Sequence, residues 1–154
     1  HILLILRIEE TDEAAAAWLV HLVQPGKTAV TILPLVPSLP IMYRLENRVQ
    51  TGLDVLLSPN TPSGNYLRYV AQQLKDWQID GNMRLRQGDP DWQIRDEVAE
   101  GNYDLVLIGA EPRGRFCRAL LGELVKPLLS WSDRPLLIAR SPLLNAKKGH
   151  DAAP

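Results

Sequence analysis

Glycine and arginine residues cluster between residues 109 and 123, in the segment GAEPRGRFCRALLGE. They are Gly109, Gly114 and Gly122 with Arg113, Arg115 and Arg118. A glycine-rich turn that leaves a buried strand and enters a helix suits a phosphate, because free backbone N–H groups and the helix dipole converge there. Arginine adds a planar, two-pronged donor for phosphate or carboxylate. The segment favours either a local anion site or a solvated basic loop paired with Glu111 or Glu123.

Few other residues have the chemistry of a catalyst or a metal ligand. The histidines are His1 at the start, His21 in a predicted helix and His150 near the end, and none is placed to act as a base for a nucleophile. The single cysteine, Cys117, excludes an internal disulfide and a cysteine-rich metal site. We therefore predict no catalytic residue, no metal site and no resident cofactor.

The composition is that of one ordinary domain. The chain has 154 residues, of which 45% are apolar and 23% charged, enough for a sizeable core. Seventeen basic and 18 acidic residues leave a net charge of -1, so no global field draws the chain to nucleic acid or to an anionic membrane. No apolar stretch approaches the roughly 18 residues needed to span a bilayer. We expect a soluble, cytoplasmic domain without nucleic-acid partners or membrane insertion.

Apolar runs alternate with segments of helical spacing along the chain. The predicted strands are Ile2–Ile8, Lys27–Val36, Met83–Gln87, Leu105–Ile108 and Pro135–Arg140. The predicted helices are Thr11–Val23, Tyr66–Trp77, Asp91–Glu100 and Phe116–Ser130. This alternation predicts an α/β fold with an open five-stranded parallel sheet and helices on both faces. Its ligand crevice would lie beyond the carboxyl ends of the strands, where the loops after Ile8 and Ile108 meet.

Several prolines affect where the predicted strands and helices begin, end or bend. Pro34 is expected to end or bend the second strand, and Pro127 to kink the last helix near Glu123, because proline lacks an N–H donor. Asp89 and Pro90 predict a capped helix start.

We assign residues 1–140 to the domain and 141–154 to a flexible tail. Since the chain opens with His1 directly before a strand, we expect it to be part of a longer protein.

Three stretches resemble the universal stress protein family. They are HILLILRIEETDEA at the start, RQGDPDWQIRDEVAEGNYDLVLIGAEPRGR, and RALLGELVKPLLSWSDRPLLIAR near the end. The similarity covers about the first 36 and the last 60 residues, and the middle matches only in outline. It implies a Rossmann-like domain of the adenine nucleotide alpha hydrolase type.

The nucleotide motif of that family is incomplete in this chain. Nucleotide-binding members carry Gly-x-x-Gly, nine further residues, and then Gly with Ser or Thr. Gly109 and Gly122 match, whereas Pro112 replaces the second glycine and Glu123 replaces the hydroxyl residue. Pro112 offers no N–H to a phosphate. A carboxylate at Glu123 would repel one by about 1–4 kcal/mol.

A second departure lies at the end of the first strand. Arg7 stands where ATP-binding members carry an aspartate near the base and ribose. A cation near the end of a central strand needs a partner, and Glu9, Glu111 or Glu123 could supply it across the crevice. In that case the pocket would be filled by its own ion pair.

The resemblance therefore implies a binding or signalling module in stress response that is not an enzyme and does not bind ATP. It also implies a homodimer through the last strand and an unknown signalling partner. One alternative is an ATP- or AMP-binding domain that uses its arginine-rich loop, with Arg7, Gly109, Arg113, Gly114, Arg115, Gly122 and Glu123 as the site residues. Another is a receiver-like phosphorelay relic, since GLDVLLSPNTPSG looks like a receiver strand and loop with Ser58 in place of the phosphorylated aspartate.

Overall fold

A computed structural model of the chain describes residues 1–7, 13–36, 56–86, 88–110 and 124–139. The strands in these ranges are β1 (Ile2–Arg7), β2 (Ala29–Leu35), β3 (Asp80–Met83), β4 (Leu105–Gly109) and β5 (Leu136–Ala139). The helices are α1 (Glu13–Leu22), α2 (Pro62–Asp76), α3 (Pro90–Glu100) and α4 (Val125–Trp131). No helix within these ranges is long and apolar enough to cross a membrane.

The strands form one parallel sheet in the order β3-β2-β1-β4-β5. The predicted α/β fold is thereby confirmed. Strand order reverses between β1 and β4, which is the point where ligands of open α/β sheets bind. The order differs from the 2-1-3-4-5 arrangement of receiver domains, in which β1 lies between β2 and β3. The sheet topology therefore does not favour the receiver alternative.

Helices cover both faces of the sheet and bury it. Every residue of β1 is buried, as expected for a central parallel strand. On one face, apolar side chains of α1 and α2, among them Leu19 and Leu67, pack on the strands. On the other face, Ile94 of α3 and Leu128 of α4 do the same. Alternate residues of the strands therefore pack into two separate hydrophobic cores, one on each face of the sheet. This packing fixes the positions of the carboxyl ends of the strands.

The third strand begins three residues closer to the N-terminus than predicted. We expected Met83–Gln87, whereas β3 spans Asp80–Met83. This edge strand begins with the exposed polar run Asp80 to Asn82, so it carries no apolar signal. Pairing with β2 alone defines it.

Pro34 gives the reason why β3 ends where it does. Arg84 donates its backbone N–H to the carbonyl of Ile32 at 2.9 Å. The next bond of a parallel ladder would need an N–H at residue 34, which proline lacks. On its other side β2 continues through Leu35, because Pro34 still lies opposite Leu6. Pro34 therefore ends the pairing with β3 and not β2 itself.

Two helix starts have local causes. Helix α2 begins at Pro62, four residues before the predicted Tyr66, because the Thr61 side chain accepts a hydrogen bond from the N–H of Gly64. Helix α3 begins at Pro90 with Asp89 as its cap, which confirms the predicted helix start.

The described part of the last helix, α4, begins only at Val125. Pro127 lies in its first turn, where an N–H has no partner within a helix. The predicted kink at Glu123 falls outside the described residues. The flexible tail at 141–154 also falls outside them.

Candidate functional site

Arg7 occupies the point where strand order reverses. It is the last residue of β1 and is only 2% exposed. Its guanidinium donates hydrogen bonds to the carbonyl oxygens of Gly109, at 2.6 Å, and Ala110, at 2.9 Å. Because Gly109 ends β4, one buried cation ties together the carboxyl ends of two neighbouring strands.

The chemistry of this position differs from that of the aspartate in the family motif. An aspartate at this position would accept hydrogen bonds from a ligand, whereas a guanidinium has no acceptor. Arg7 Nη2 donates to backbone carbonyls of the protein itself, so these strand-end oxygens already have a hydrogen-bond donor. The crevice between β1 and β4 therefore contains a side chain of its own.

Among the predicted site residues, the structure describes Arg7 and Gly109 and brings them into contact. The other five, Arg113, Gly114, Arg115, Gly122 and Glu123, lie outside the described residues. So do Glu9 and Glu111, the other acidic partners expected for Arg7. The arginine-rich loop stays a prediction from the sequence.

Gln93 is a residue at the same edge of the sheet that sequence reasoning missed. It lies in the first turn of α3 and is 1% exposed. Its Nε2 donates to the carbonyl of Val36, directly after β2, at 2.9 Å and to the carbonyl of Gly88 at 2.7 Å. A signal exists in the sequence, since Gln93 and Glu97 fall on the same helix face as Ile94 and Val98, where apolar residues are expected.

Glu97 forms a buried polar cluster between α3 and the segment after β3. The carboxylate is inaccessible to solvent and accepts from Arg86 at 2.7 Å, from Arg84 at 3.4 Å and from the Tyr103 hydroxyl. Arg86 also contacts Glu100. Because each carboxylate oxygen of Glu97 has a donor, the cluster fastens α3 to the edge of the sheet.

The charges of this cluster shift the pKa values of its members. Hydrogen bonds to Glu100 and Glu97 raise the pKa of Arg86 against the opposing effect of its burial, and the bond to Arg86 lowers the pKa of Glu100. Burial, with the hydrogen bond to Glu97, raises the pKa of the Tyr103 hydroxyl. All these shifts favour the protonation states that form the hydrogen bonds and ion pairs of the cluster.

A second polar contact joins α3 to α4. Asp91 accepts from Arg95 at 2.8 Å and from the indole N–H of Trp131 at 3.2 Å. The Arg95 guanidinium carbon lies 4.9 Å from the centre of the Trp131 ring and 5.9 Å from that of Trp92. Trp92 itself is 63% exposed, so it lies at the rim and contributes little to the core.

The described ranges contain no group of three or more histidine, cysteine or acidic side chains that could hold a metal ion. His21 is exposed on α1, with its ring 5.8 Å from that of Trp18. Within the described residues, the candidate site is the carboxyl edge of the sheet, with Arg7 at the β4 end and Gln93 at the β2 end.

Solved structures with the same fold include several universal stress proteins. The hypothetical protein MJ0577 matches with a TM-score of 0.71 at 18% identity, over 91% of this chain and 94% of that one. An Arabidopsis thaliana universal stress protein family protein with AMP bound matches with a TM-score of 0.54 at 14% identity, over 97% of each chain. A universal stress protein in complex with cAMP gives 0.51 at 18% identity, over 90% and 94%.

Comparison of sequences gives the family. No curated protein matches the chain. A sequence model of the universal stress protein family, however, matches residues 1–140, which is most of the chain and includes all the described strands. The fold, the strand order and the Gly-Asp-Pro start of α3 agree with that match. The chain therefore belongs to the universal stress protein family.

Proposed function

We propose that this domain is a dimeric binding or signalling module of a cytoplasmic stress response, that it is not an enzyme, and that it does not hold ATP. The observation that supports this proposal is the position of Arg7. Its buried guanidinium lies where a nucleotide-binding relative would need a hydrogen-bond acceptor, and it donates to the end of β4.

The sequence of the following loop supports the same proposal. Pro112 removes one backbone donor from the phosphate loop, and Glu123 puts a negative charge where a hydroxyl would donate to phosphate oxygens. Arg7, Pro112 and Glu123 thus affect three separate contacts of the family's nucleotide pose. A substitution that restored one of these three contacts would leave the other two absent.

A second candidate is an AMP- or ATP-binding domain. Structures of the same fold are known with AMP and with cAMP, which favours this candidate. Arg113 and Arg115 would have to replace the missing backbone donor and the missing hydroxyl by gripping the phosphates directly.

Calorimetric titration of the whole chain with ATP, with and without magnesium, distinguishes the two candidates. We expect no saturable heat up to about 1 mM nucleotide. Micromolar affinity that is lost in the double variant Arg113→Gln/Arg115→Gln, and retained in Arg134→Gln as a matched control, would overturn the proposal in favour of nucleotide binding.

The dimer part of the proposal is supported by the position of β5. This strand lies at the edge of the sheet beside β4, and its residue Ile138 is 36% exposed. An apolar edge strand with free backbone groups is a template for pairing with another chain. A two-fold axis at this edge would let the β5 strands of two copies satisfy each other's free N–H and C=O groups.

A further inference from the structure

The outer surface of α1 is apolar, although it faces away from the sheet. After Glu13 the helix carries no aspartate, glutamate, lysine or arginine. A surface helix normally places charged residues on its outer face, and a helix that is apolar all round is normally covered. Trp18 is nevertheless 46% exposed, and Val20 is exposed as well. The outer face of α1 therefore lacks the cover that its composition calls for, within the residues that the structure describes.

Trp18 lies on the side of α1 that faces the β5 edge of the sheet. Ala15 and Leu19 are buried against the sheet, and a rotation of about 100° per residue puts Trp18 on one side of them and Ala16 on the other. Helix α1 lies against β1, β4 and β5. In a right-handed crossover from β1 to β2, the Ala16 side of a right-handed helix faces β2 and the Trp18 side faces β5.

On the opposite face of the sheet, Leu129 of α4 lies beside the same edge. Trp131 turns toward α3, because its indole N–H donates to Asp91. Leu129, two residues earlier, lies on the opposite side of α4, which is the side of β5, and it is 61% exposed. The exposed Ile138 lies on this same face, since its alternate neighbour Leu136 packs in the core that Leu128 of α4 shares. Both faces of the β5 edge thus present exposed apolar side chains.

The strand β5 is too short to hold two copies of the chain together by itself. It has four residues, Leu136–Ala139. A stable, specific interface takes about 20–30 residues from each partner and buries about 800 Å² of each. Elements beside β5 must therefore supply most of the contact. Trp18 and Leu129 are large exposed apolar side chains on the flanking helices, and a tryptophan often contributes more to affinity than any other interface residue.

Antiparallel pairing of two β5 strands would bring these side chains toward the second copy. Such pairing joins the sheets about a two-fold axis perpendicular to them, so each face of one sheet continues into the same face of the other. Trp18 of both copies would then lie on one face of the joined sheet, and Leu129 of both on the other.

We propose that Trp18 and Leu129 contact a second copy of this chain on the two faces of the joined sheet, and that these contacts provide most of the affinity of the dimer. The inference rests on the proposed function for the existence of the dimer. It adds the side chains that stabilise it, and it explains why α1 is apolar on its outer face.

Sedimentation equilibrium over a dilution series measures the Kd of the dimer in wild type and variants of the whole chain. Trp18→Ala should raise the Kd about tenfold or more, and Leu129→Ala about threefold or more, because each truncation removes a buried apolar contact. Trp92→Ala is the matched control and should leave the Kd unchanged. Trp92 is also an exposed tryptophan, but it lies on α3, which α4 separates from β5.

Fluorine NMR of wild type that carries 5-fluorotryptophan gives a second readout, which stays valid where Trp18→Ala fails to fold. The resonance of Trp18, identified by its absence in Trp18→Phe, should shift on dilution from dimer to monomer, and that of Trp92 should not. A Trp18 resonance that dilution does not shift would overturn the proposal.

The variants also separate failure of this inference from failure of the proposed dimer. A dimer that Ile138→Pro dissociates, but that Trp18→Ala and Leu129→Ala leave unchanged, would overturn the inference and leave the proposed function intact. An equal rise of the Kd in Trp92→Ala would overturn it as well. A wild type that is monomeric at tens of micromolar would overturn both.

Discussion

Arg7 links two strand ends through a single side chain, and its removal tests that link. In Arg7→Met the carbonyls of Gly109 and Ala110 lose their donors while they stay largely buried. We expect the free energy of unfolding to fall by about 1–3 kcal/mol. Urea denaturation measures it, with Arg68→Met as the control, because Arg68 is exposed on α2. A loss no larger than that of the control would mean that the link from Arg7 to the end of β4 does not stabilise the fold.

Glu97 and Glu100 contact the same arginine from different environments. Glu97 is inaccessible to solvent, whereas Glu100 has an exposed side chain. Glu97→Gln removes the buried charge opposite Arg86 and should lower the free energy of unfolding by about 3 kcal/mol. Glu100→Gln should change it little, because surface ion pairs are weak and screened. Equal losses in the two variants would contradict the structural role of the buried cluster.

The raised pKa of Tyr103 predicts that the free energy of unfolding depends on pH in the alkaline range. Its pKa is raised above the ordinary value of about 10, so above that pH the unfolded chain loses a proton that the folded chain keeps. The stabilisation is complete below about pH 10 and is lost as pH rises from there through the folded-state pKa. Tyr103→Phe should flatten this decline, and Tyr69→Phe, at an exposed position, should not. Denaturant midpoints between about pH 8 and 11 measure it.

At the scale of elements, the start of α2 depends on a close approach of backbone segments. A Cβ added at Gly64 would lie 2.2 Å from the carbonyl oxygen of Ser58 and 2.6 Å from that of Leu56. Gly64→Ala should therefore lower the free energy of unfolding by about 1–3 kcal/mol, although alanine is the better helix former. Asn65→Ala, on the exposed side, should be close to neutral. Thermal unfolding of both variants would show no difference if the loop before α2 can move aside.

At the scale of the whole molecule, the outer edge of β5 predicts how a dimer can be broken without unfolding the domain. The carbonyls of Pro135 and Ala139 accept bonds from Val106 and Ala110 at 2.9 and 2.6 Å. In a parallel ladder the N–H of Ile138 therefore points away from β4, toward the edge that no described strand covers.

Ile138→Pro should thus remove a donor from the pairing between two copies while the ladder to β4 survives. Light scattering should give a dimer for wild type and for Ile138→Val, and a folded monomer for Ile138→Pro. A monomeric wild type at tens of micromolar, or a folded and fully dimeric Ile138→Pro, would exclude β5 as the interface.

Much of this architecture could be predicted from the chain alone. Continuous apolar runs specify buried parallel strands, and their alternation with helical patterns specifies helices on both faces, because both follow from local periodicity and burial. The Asp89–Pro90 helix start and the family motif could also be recognised in the sequence. The strand Asp80–Met83 could not be predicted, since an edge strand of polar residues is defined only by its pairing with β2.

In the candidate site, too, some features follow from the sequence and others only from tertiary contacts. The sequence by itself determined which residue types are present: an arginine at the end of β1 and an incomplete glycine motif after β4. Only the tertiary structure decided what Arg7 and Gln93 contact. Arg7 donates to the end of β4, 102 residues away in the chain, and Gln93 to the end of β2, 57 residues away. Such bonds depend on strand order and helix placement, which bring distant segments within about 3 Å, and no local pattern encodes them.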